Sequence, residues 1–172
     1  MYSQRDIDEL ISCPKNVSEA PKREVKLVGA HWKNDMTLVA EGRPGEFNVF
    51  FRRSEDFPEN FSIGLSYDQK DGSGETILLR CNGPHGAFNA TFNPTHPHWG
   101  YHIHRATESA INAGFKAERH AEITTAYASY EEAVHHFVKL INLDATEIAK
   151  YFPDKTAQGT LAFEGGENDG NT

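Results

Sequence analysis

The sequence predicts an α+β fold, in which an antiparallel sheet of five or six strands forms a meander and a C-terminal helix covers one face. Two patterns lead to this prediction. Between residues 24 and 105, short runs of alternating apolar and polar residues are separated by turns rich in Gly, Pro and Asn, which is typical of consecutive antiparallel strands. After residue 129 the apolar spacing changes to that of an amphipathic helix. The length favours a single domain, to which we assign residues 1–153.

The first part of the chain contains one predicted helix and the predicted strands. Helical spacing indicates a short amphipathic helix over Gln4–Ser12, which ends near Pro14 because proline cannot continue a helix. Residues 16–22 are interpreted as a polar connection. Asn34-Asp35 is the predicted turn between the first two strands. The predicted strands are, in chain order, Glu24–Lys33, Met36–Glu41, Glu46–Arg53, Phe61–Tyr67, Ile77–Asn82 and His98–Arg105.

The second part of the chain is predicted to supply the cover of the sheet. Residues 107–120 are ambiguous between a helix and a loop, and Ala121–Tyr127 is predicted to add one short strand. Ser129–Leu143 is predicted to be the covering helix. Ser129 and Glu132 form the S-x-x-E pattern of a capping box, in which each side chain binds an otherwise unpaired amide of the first turn.

The C-terminus changes composition after a further short helix predicted over Asp144–Tyr151. Residues 154–172 are rich in Gly, Glu, Asn, Asp and Thr, and we predict a disordered acidic tail. No apolar run approaches the roughly 20 residues that span a bilayer, and the first residues lack the pattern of a signal peptide. A soluble, cytoplasmic protein is therefore expected.

The charge and the cysteines limit the classes of function. A net charge of −8 opposes non-specific binding to nucleic acid, which depends on a basic surface. An RNA substrate would therefore need a local basic patch, for which the candidates are Arg52, Arg53, Arg80 and Arg105. Two cysteines, Cys13 and Cys81, make neither a disulfide framework nor a thiolate zinc site.

Residues 77–105 concentrate the side chains that carry chemistry. Five of the nine histidines lie in this stretch, namely His85, His96, His98, His102 and His104. Side chains alternate between the two faces of a strand, so His98, His102 and His104 are predicted to share one face. If the neighbouring strand pairs with its polar face aligned, Arg80 and Asn82 join this patch and His85 overhangs it from the loop.

Three interpretations of the histidines stay open at this point. A divalent metal could bind at His85, His98, His102 and His104, because two histidines on one strand face lie roughly 6.6 Å apart at Cα. Alternatively, His102 and His104 could serve as base and acid without a metal. The third interpretation is structural, with the histidines supporting their own loop through hydrogen bonds.

The predicted site would include residues that bind an anion. Arg80 is the candidate for a phosphate, since its planar fork matches phosphate oxygens, although it could instead form a surface ion pair with Glu75 or Asp71. Catalytic roles are predicted for His102, His104, Arg80 and His85, and substrate-binding roles for Asn82, His98 and Arg105. The chemistry these residues suit is cleavage of RNA or a nucleotide, and a ligand- or protein-binding module without turnover is the alternative.

The same stretch resembles a loose group of small bacterial proteins. They carry R-x-[DN]-x-x-P-H followed by P-H and H-x-H, which here corresponds to Arg80, Asn82, Pro84-His85, Pro97-His98 and His102-x-His104. Some of these proteins are toxins of toxin–antitoxin pairs, the TumE-type proteins among them. The resemblance covers roughly 30 residues and implies a small cytoplasmic α+β protein that acts on RNA or nucleotides, with an antitoxin protein as partner.

Overall fold

A computed structural model describes residues 2–86 and 95–153 of the chain, and within them it has eight strands and four α-helices. The helices are α1 (Gln4–Ser12), α2 (Glu108–Asn112), α3 (Tyr130–Leu140) and α4 (Ala145–Tyr151), with a 3-10 turn over Pro97–Trp99. The strands are β1 (Asn16–Glu19), β2 (Lys26–Val28), β3 (His31–Val39), β4 (Glu46–Ser54), β5 (Phe61–Asp68), β6 (Glu75–Asn82), β7 (His102–Arg105) and β8 (His120–Ile123). The predicted acidic tail, 154–172, lies outside the described residues. Among those residues no helix is long and apolar enough to cross a membrane.

All eight strands belong to one open antiparallel sheet in the order β1-β3-β4-β5-β6-β7-β8, with β2 paired to β3 beside β1. The α+β class and the meander from β3 onward are confirmed. The predicted number of five or six strands is wrong. One strand, β1, occupies the stretch interpreted as a polar connection, and its residues are mostly exposed, so it lacks the apolar alternation on which the prediction depended.

A second error concerns the first turn of the meander. The segment predicted as one strand over Glu24–Lys33 is a hairpin, because Val28 pairs with His31 and leaves only two residues between β2 and β3. Gly29 has a φ of +63°, a conformation that glycine adopts without steric penalty. Asn34, predicted in a turn, stays extended, and its side-chain amide exchanges two hydrogen bonds with the backbone of Lys22.

Helices α1 and α3 cover one face of the sheet and form the core with it. The Gln4–Ser12 helix is confirmed at both ends, and it buries Ile7, Leu10 and Ile11. Ser129 caps α3 by accepting a hydrogen bond from the Glu132 amide, whereas the Glu132 carboxylate accepts from the Ala128 amide instead of the Ser129 amide. The strands contribute a continuous row of buried side chains, including Phe47, Val49, Ile63, Leu65, Leu79 and Cys81. Both helices therefore take part in the cover, not the C-terminal one alone.

Lys15 joins the ends of the two covering helices in the core. It is fully buried, and its ammonium donates hydrogen bonds to the carbonyl oxygens of Ile11, Cys13 and Ile141 at 2.8, 2.8 and 3.0 Å. The same nitrogen lies 4.8 Å from the centre of the Phe47 ring. Burial lowers the pKa of Lys15 to about 8, because removal from water disfavours the charged form.

The opposite face of the sheet carries the polar side chains. In the register of β5, β6 and β7, Gly64 lies opposite Arg80 and Arg80 lies opposite His104. Gly64 leaves room for the Phe50 ring, which a β-carbon at this position would meet at 2.1 Å. This face, away from α1 and α3, holds the candidate site.

Candidate metal centre

Strands β6 and β7 pair in the register that side-chain alternation predicts. Asn82 lies opposite His102, and Arg80 lies opposite His104. Both histidines are buried, with relative exposures of 0% and 4%. Two imidazoles from one strand are therefore enclosed beside an arginine and an amide from the next strand.

His98 reaches these imidazoles from a turn and not from the strand predicted over His98–Arg105. β7 begins only at His102, and His98 lies in the 3-10 turn that Pro97 opens. The turn is capped by His96, whose ring Nδ1 accepts a hydrogen bond from the His98 amide. Proline suits the first position of a helical turn, because it has no amide to leave unpaired. The His98 ring centre lies 5.0 Å from that of His102.

The loop after β6 positions His85 next to His98. The amides of His85 and Gly86 both donate to the His98 carbonyl, at 3.0 and 2.9 Å. Gly86 has a φ of +68° and lies against the Trp99 ring, so a larger residue there would strain the loop. The His85 ring centre lies 4.8 Å from that of His98 and 5.0 Å from that of His102. The structure thus brings together His85, His98, His102 and His104.

Hydrogen bonds to the backbone orient three of these rings. The Nδ1 atoms of His85, His102 and His104 each lie within 2.9 Å of a carbonyl oxygen. The three carbonyls belong to Gly86, Gly100 and Glu118. A carbonyl oxygen only accepts, so in a neutral ring Nδ1 carries the hydrogen and Nε2 keeps its lone pair. Asn82 agrees with this tautomer at His102, because its amide nitrogen lies 3.4 Å from Nε2 and its oxygen accepts from Ser62.

Burial keeps the histidines of this cluster neutral. It lowers the pKa of His102 to about 3, and burial together with the nearby guanidinium of Arg80 lowers the pKa of His104 to about 4. Burial also lowers the pKa of His85 and of His98. Neutral imidazole is the form that binds metal ions.

Three of the rings lie close enough together to be candidates for one shared ion. One ligand nitrogen from each of His85, His98 and His102 lies within 4.8 Å of the other two. Nitrogens in a tetrahedral zinc site lie about 3.4 Å apart, given Zn–N bonds of about 2.0–2.1 Å, so the three nitrogens would have to approach one another by up to about 1.4 Å to share an ion. Three protein ligands leave the fourth position for water or substrate. His104 lies beside this triad, with its ring centre 5.1 Å from that of His102.

Arg80 has a buried acidic neighbour that the sequence did not indicate. Its Nη2 lies 3.7 Å from a carboxylate oxygen of Glu118, which is 5% exposed. Glu118 is not one of the surface partners predicted for Arg80. One of those, Glu75, instead accepts hydrogen bonds from the side chains of Ser66 and Asn48. Glu118 lies in the ambiguous stretch before β8, and no spacing pattern connects it to β6. Among the described residues, Nε of Arg80 is buried without a hydrogen-bond partner.

One predicted site residue is not brought to the cluster. Arg105 lies opposite Leu79, on the other face of β7 from His104, and is exposed. It alternates with His104 along the strand and therefore points away from the histidine cluster.

No protein-family model matches this sequence, and neither a curated protein nor a solved structure matches it significantly. The resemblance to TumE-type toxins, with the antitoxin partner that it implies, therefore stays a prediction.

A glycine at the end of β6 controls the path of the loop that carries His85. A β-carbon on Gly83 would lie 1.8 Å from the backbone oxygen of Glu59, which cannot move aside as a side chain could. We expect Gly83→Ala to lower the free energy of unfolding by about 1–3 kcal/mol, measured by chemical denaturation. Gly100→Ala is the matched control, since nothing lies within 4 Å of a β-carbon there. Equal stability of the two variants would contradict this close approach.

Proposed function

We propose that this protein binds a divalent transition-metal ion at His85, His98 and His102 and uses it to hydrolyse a phosphodiester of RNA or a nucleotide. One observation carries the proposal. The Nδ1 atoms of His85 and His102 are bonded to backbone carbonyls, as is that of the neighbouring His104, which leaves Nε2 as the ligand atom. At His102 the ion would replace the Asn82 amide nitrogen, which lies 3.4 Å from Nε2. Metal-binding histidines commonly donate their other N–H in this way, which fixes the ring and its tautomer.

A metal ion suits this cluster better than metal-free acid–base catalysis by two histidines. The metal-free mechanism needs one imidazole protonated at the start of the reaction to serve as acid. Burial instead lowers the pKa of His102 to about 3 and of His104 to about 4, so both are neutral near pH 7. A metal ion held by His85, His98 and His102 would supply the missing electrophile, and zinc would lower the pKa of a bound water to about 7.

Arg80 is the proposed phosphate-binding residue. It lies opposite His104 on the neighbouring strand, so its guanidinium shares the polar face with the histidines. Its link to Glu118 is long, at 3.7 Å, and its Nε has no hydrogen-bond partner among the described residues. Guanidinium donors match phosphate oxygens and stabilise the charge that develops on them. His104 offers an Nε2 lone pair that would accept a hydrogen bond from the attacking water.

The proposal is tested by measuring metal-dependent hydrolysis with the full-length protein. Protein stripped with a chelator is reloaded with Zn²⁺, Mn²⁺, Ni²⁺ or Co²⁺, and cleavage of bis(p-nitrophenyl) phosphate and of a short single-stranded RNA is followed. We expect turnover that requires the added metal and that is lost in His102→Ala. Turnover that survives chelation would contradict the metal mechanism. Stoichiometric metal without turnover would instead support a binding module.

Replacing Arg80 with lysine tests whether Arg80 binds the phosphate or is only a charged residue at the surface. Lysine keeps the charge but loses the planar fork, so we expect the rate of hydrolysis to fall by roughly tenfold or more. Metal affinity should stay unchanged, because Arg80 is not a ligand. Arg5→Lys is the control, since Arg5 forms an exposed pair with Glu9 on α1. A rate equal to that of the control would remove Arg80 from the site.

A further inference from the structure

A cleft beside the histidine cluster has a lining opposite in charge to the protein as a whole. Its volume is about 720 Å³, and it lies between the 3-10 turn, α2 and the start of β8. This volume falls in the range of small-molecule sites, roughly 300–1,000 Å³. His98 lines the cleft and also belongs to the proposed metal triad, so the two sites share this residue. None of the described residues that line it is acidic, although the chain has a net charge of −8.

Phe115 and Arg119 form a stacked pair in this cleft. The guanidinium carbon of Arg119 lies 4.0 Å from the centre of the Phe115 ring, within the range of a cation–π contact. The ring is 55% exposed and belongs to no part of the buried core. Phe115 therefore contacts a neighbouring cation and leaves much of its surface open to a ligand.

Such a pair suits the flat face of a nucleobase. Bases that are not paired in a duplex stack on aromatic side chains and on the guanidinium planes of arginine. Thr107 lies in the same lining and caps α2, its Oγ1 accepting hydrogen bonds from the Ala110 amide and the Ser109 hydroxyl. The hydroxyl hydrogen of Thr107 can be donated to a sugar or base edge. An apolar peptide would use only the aromatic surface of Phe115, whereas a nucleotide uses the stacking surface and the positive charge of Arg119 together.

We propose that the cleft binds the base and sugar of a nucleotide, with the base stacked on the Phe115–Arg119 pair. The phosphate then lies past His98, at the metal triad and Arg80. This inference rests on the proposed function for the phosphate end, and it adds that the substrate is recognised through its base. It also explains how a protein of net negative charge binds an anion, because the acidic residues lie elsewhere than in the described lining of this cleft.

The test compares three ligands that share a phosphate, namely AMP, ribose 5-phosphate and inorganic phosphate. Their affinities for the zinc-loaded full chain are measured by calorimetry. We expect AMP to bind more tightly than ribose 5-phosphate by roughly 5- to 150-fold, the range for stacking one base. Phe115→Ala should remove this preference, and Phe115→Trp should retain it. Phe57→Ala is the control, because Phe57 is the more exposed, at 71%, and lies outside the cleft lining.

The outcomes separate this inference from the proposed function. Equal affinity for AMP and ribose 5-phosphate, or a preference that survives Phe115→Ala, overturns the base-binding cleft even when zinc is bound. Failure of the protein to take up any of Zn²⁺, Mn²⁺, Ni²⁺ and Co²⁺ overturns the proposed function. The same comparison on the metal-free protein then still decides the cleft, because a preference for AMP that Phe115→Ala removes supports it and equal affinities reject it.

Discussion

Replacing His102 with alanine is expected to lower the affinity for zinc by more than about 100-fold, since even loss of a residue that only orients a metal ligand typically lowers it 10- to 100-fold. His102 is the buried member of the triad, and its ring is fixed by the Gly100 carbonyl and by Asn82. The affinity is measured by competition with a chromogenic chelator near pH 7.

Two further variants keep this prediction independent of folding. His85→Ala removes an exposed ligand, so a similar loss of zinc affinity there cannot come from collapse of the buried cluster. His31→Ala removes an exposed histidine at the start of β3 and should leave the affinity unchanged. If both His102→Ala and His85→Ala bind zinc as tightly as the wild type, the proposed triad is wrong.

Replacing Lys15 with methionine is expected to lower the free energy of unfolding by about 2–4 kcal/mol near pH 7, because three buried carbonyl oxygens lose their donor. Those carbonyls lie on the segments that end α1 and α3, so the loss loosens the junction of the two covering helices. Lys139→Met, which removes an exposed lysine of α3, should have little effect. Chemical denaturation of both variants measures the difference.

The effect of Lys15 on stability should also depend on pH in a definite direction. Burial holds the pKa of Lys15 at about 8 in the folded protein, below its value of 10.5 in the unfolded chain. Between these values the unfolded chain binds more protons, so stability rises with pH. Wild type gains this stability and Lys15→Met does not. The difference between their free energies of unfolding should therefore widen by roughly 2 kcal/mol from about pH 7.5 to pH 10. A gap that stays constant or narrows would contradict the buried ammonium.

Local patterns were sufficient where a residue's neighbours in sequence are also its partners in the structure. The spacing of Ile7, Leu10 and Ile11 predicted α1 and its buried face, and both are confirmed. Alternation in β6 and β7 likewise predicted that Arg80 and Asn82 lie with His102 and His104, as the register shows. These predictions used only the period of a helix or a strand.

The errors arose where distant contacts override local preference. Asn34 has the residue type of a turn, but its hydrogen bonds to Lys22 hold it in β3. His98 was assigned to β7 by alternation, but the amides of His85 and Gly86 bind its carbonyl and hold it in the 3-10 turn. Glu118 meets Arg80 only through the tertiary fold. No pattern in a single sequence connects such residues.

X-ray absorption at the zinc edge of the zinc-loaded protein tests the proposed metal centre most directly. We predict one zinc per chain with three imidazole nitrogens at about 2.0–2.1 Å and one further light ligand. His85→Ala should reduce the imidazole contribution from three to two. Zinc well below one per chain, or a first shell of oxygen ligands without imidazole scattering, would contradict the assignment of His85, His98 and His102 as a metal site.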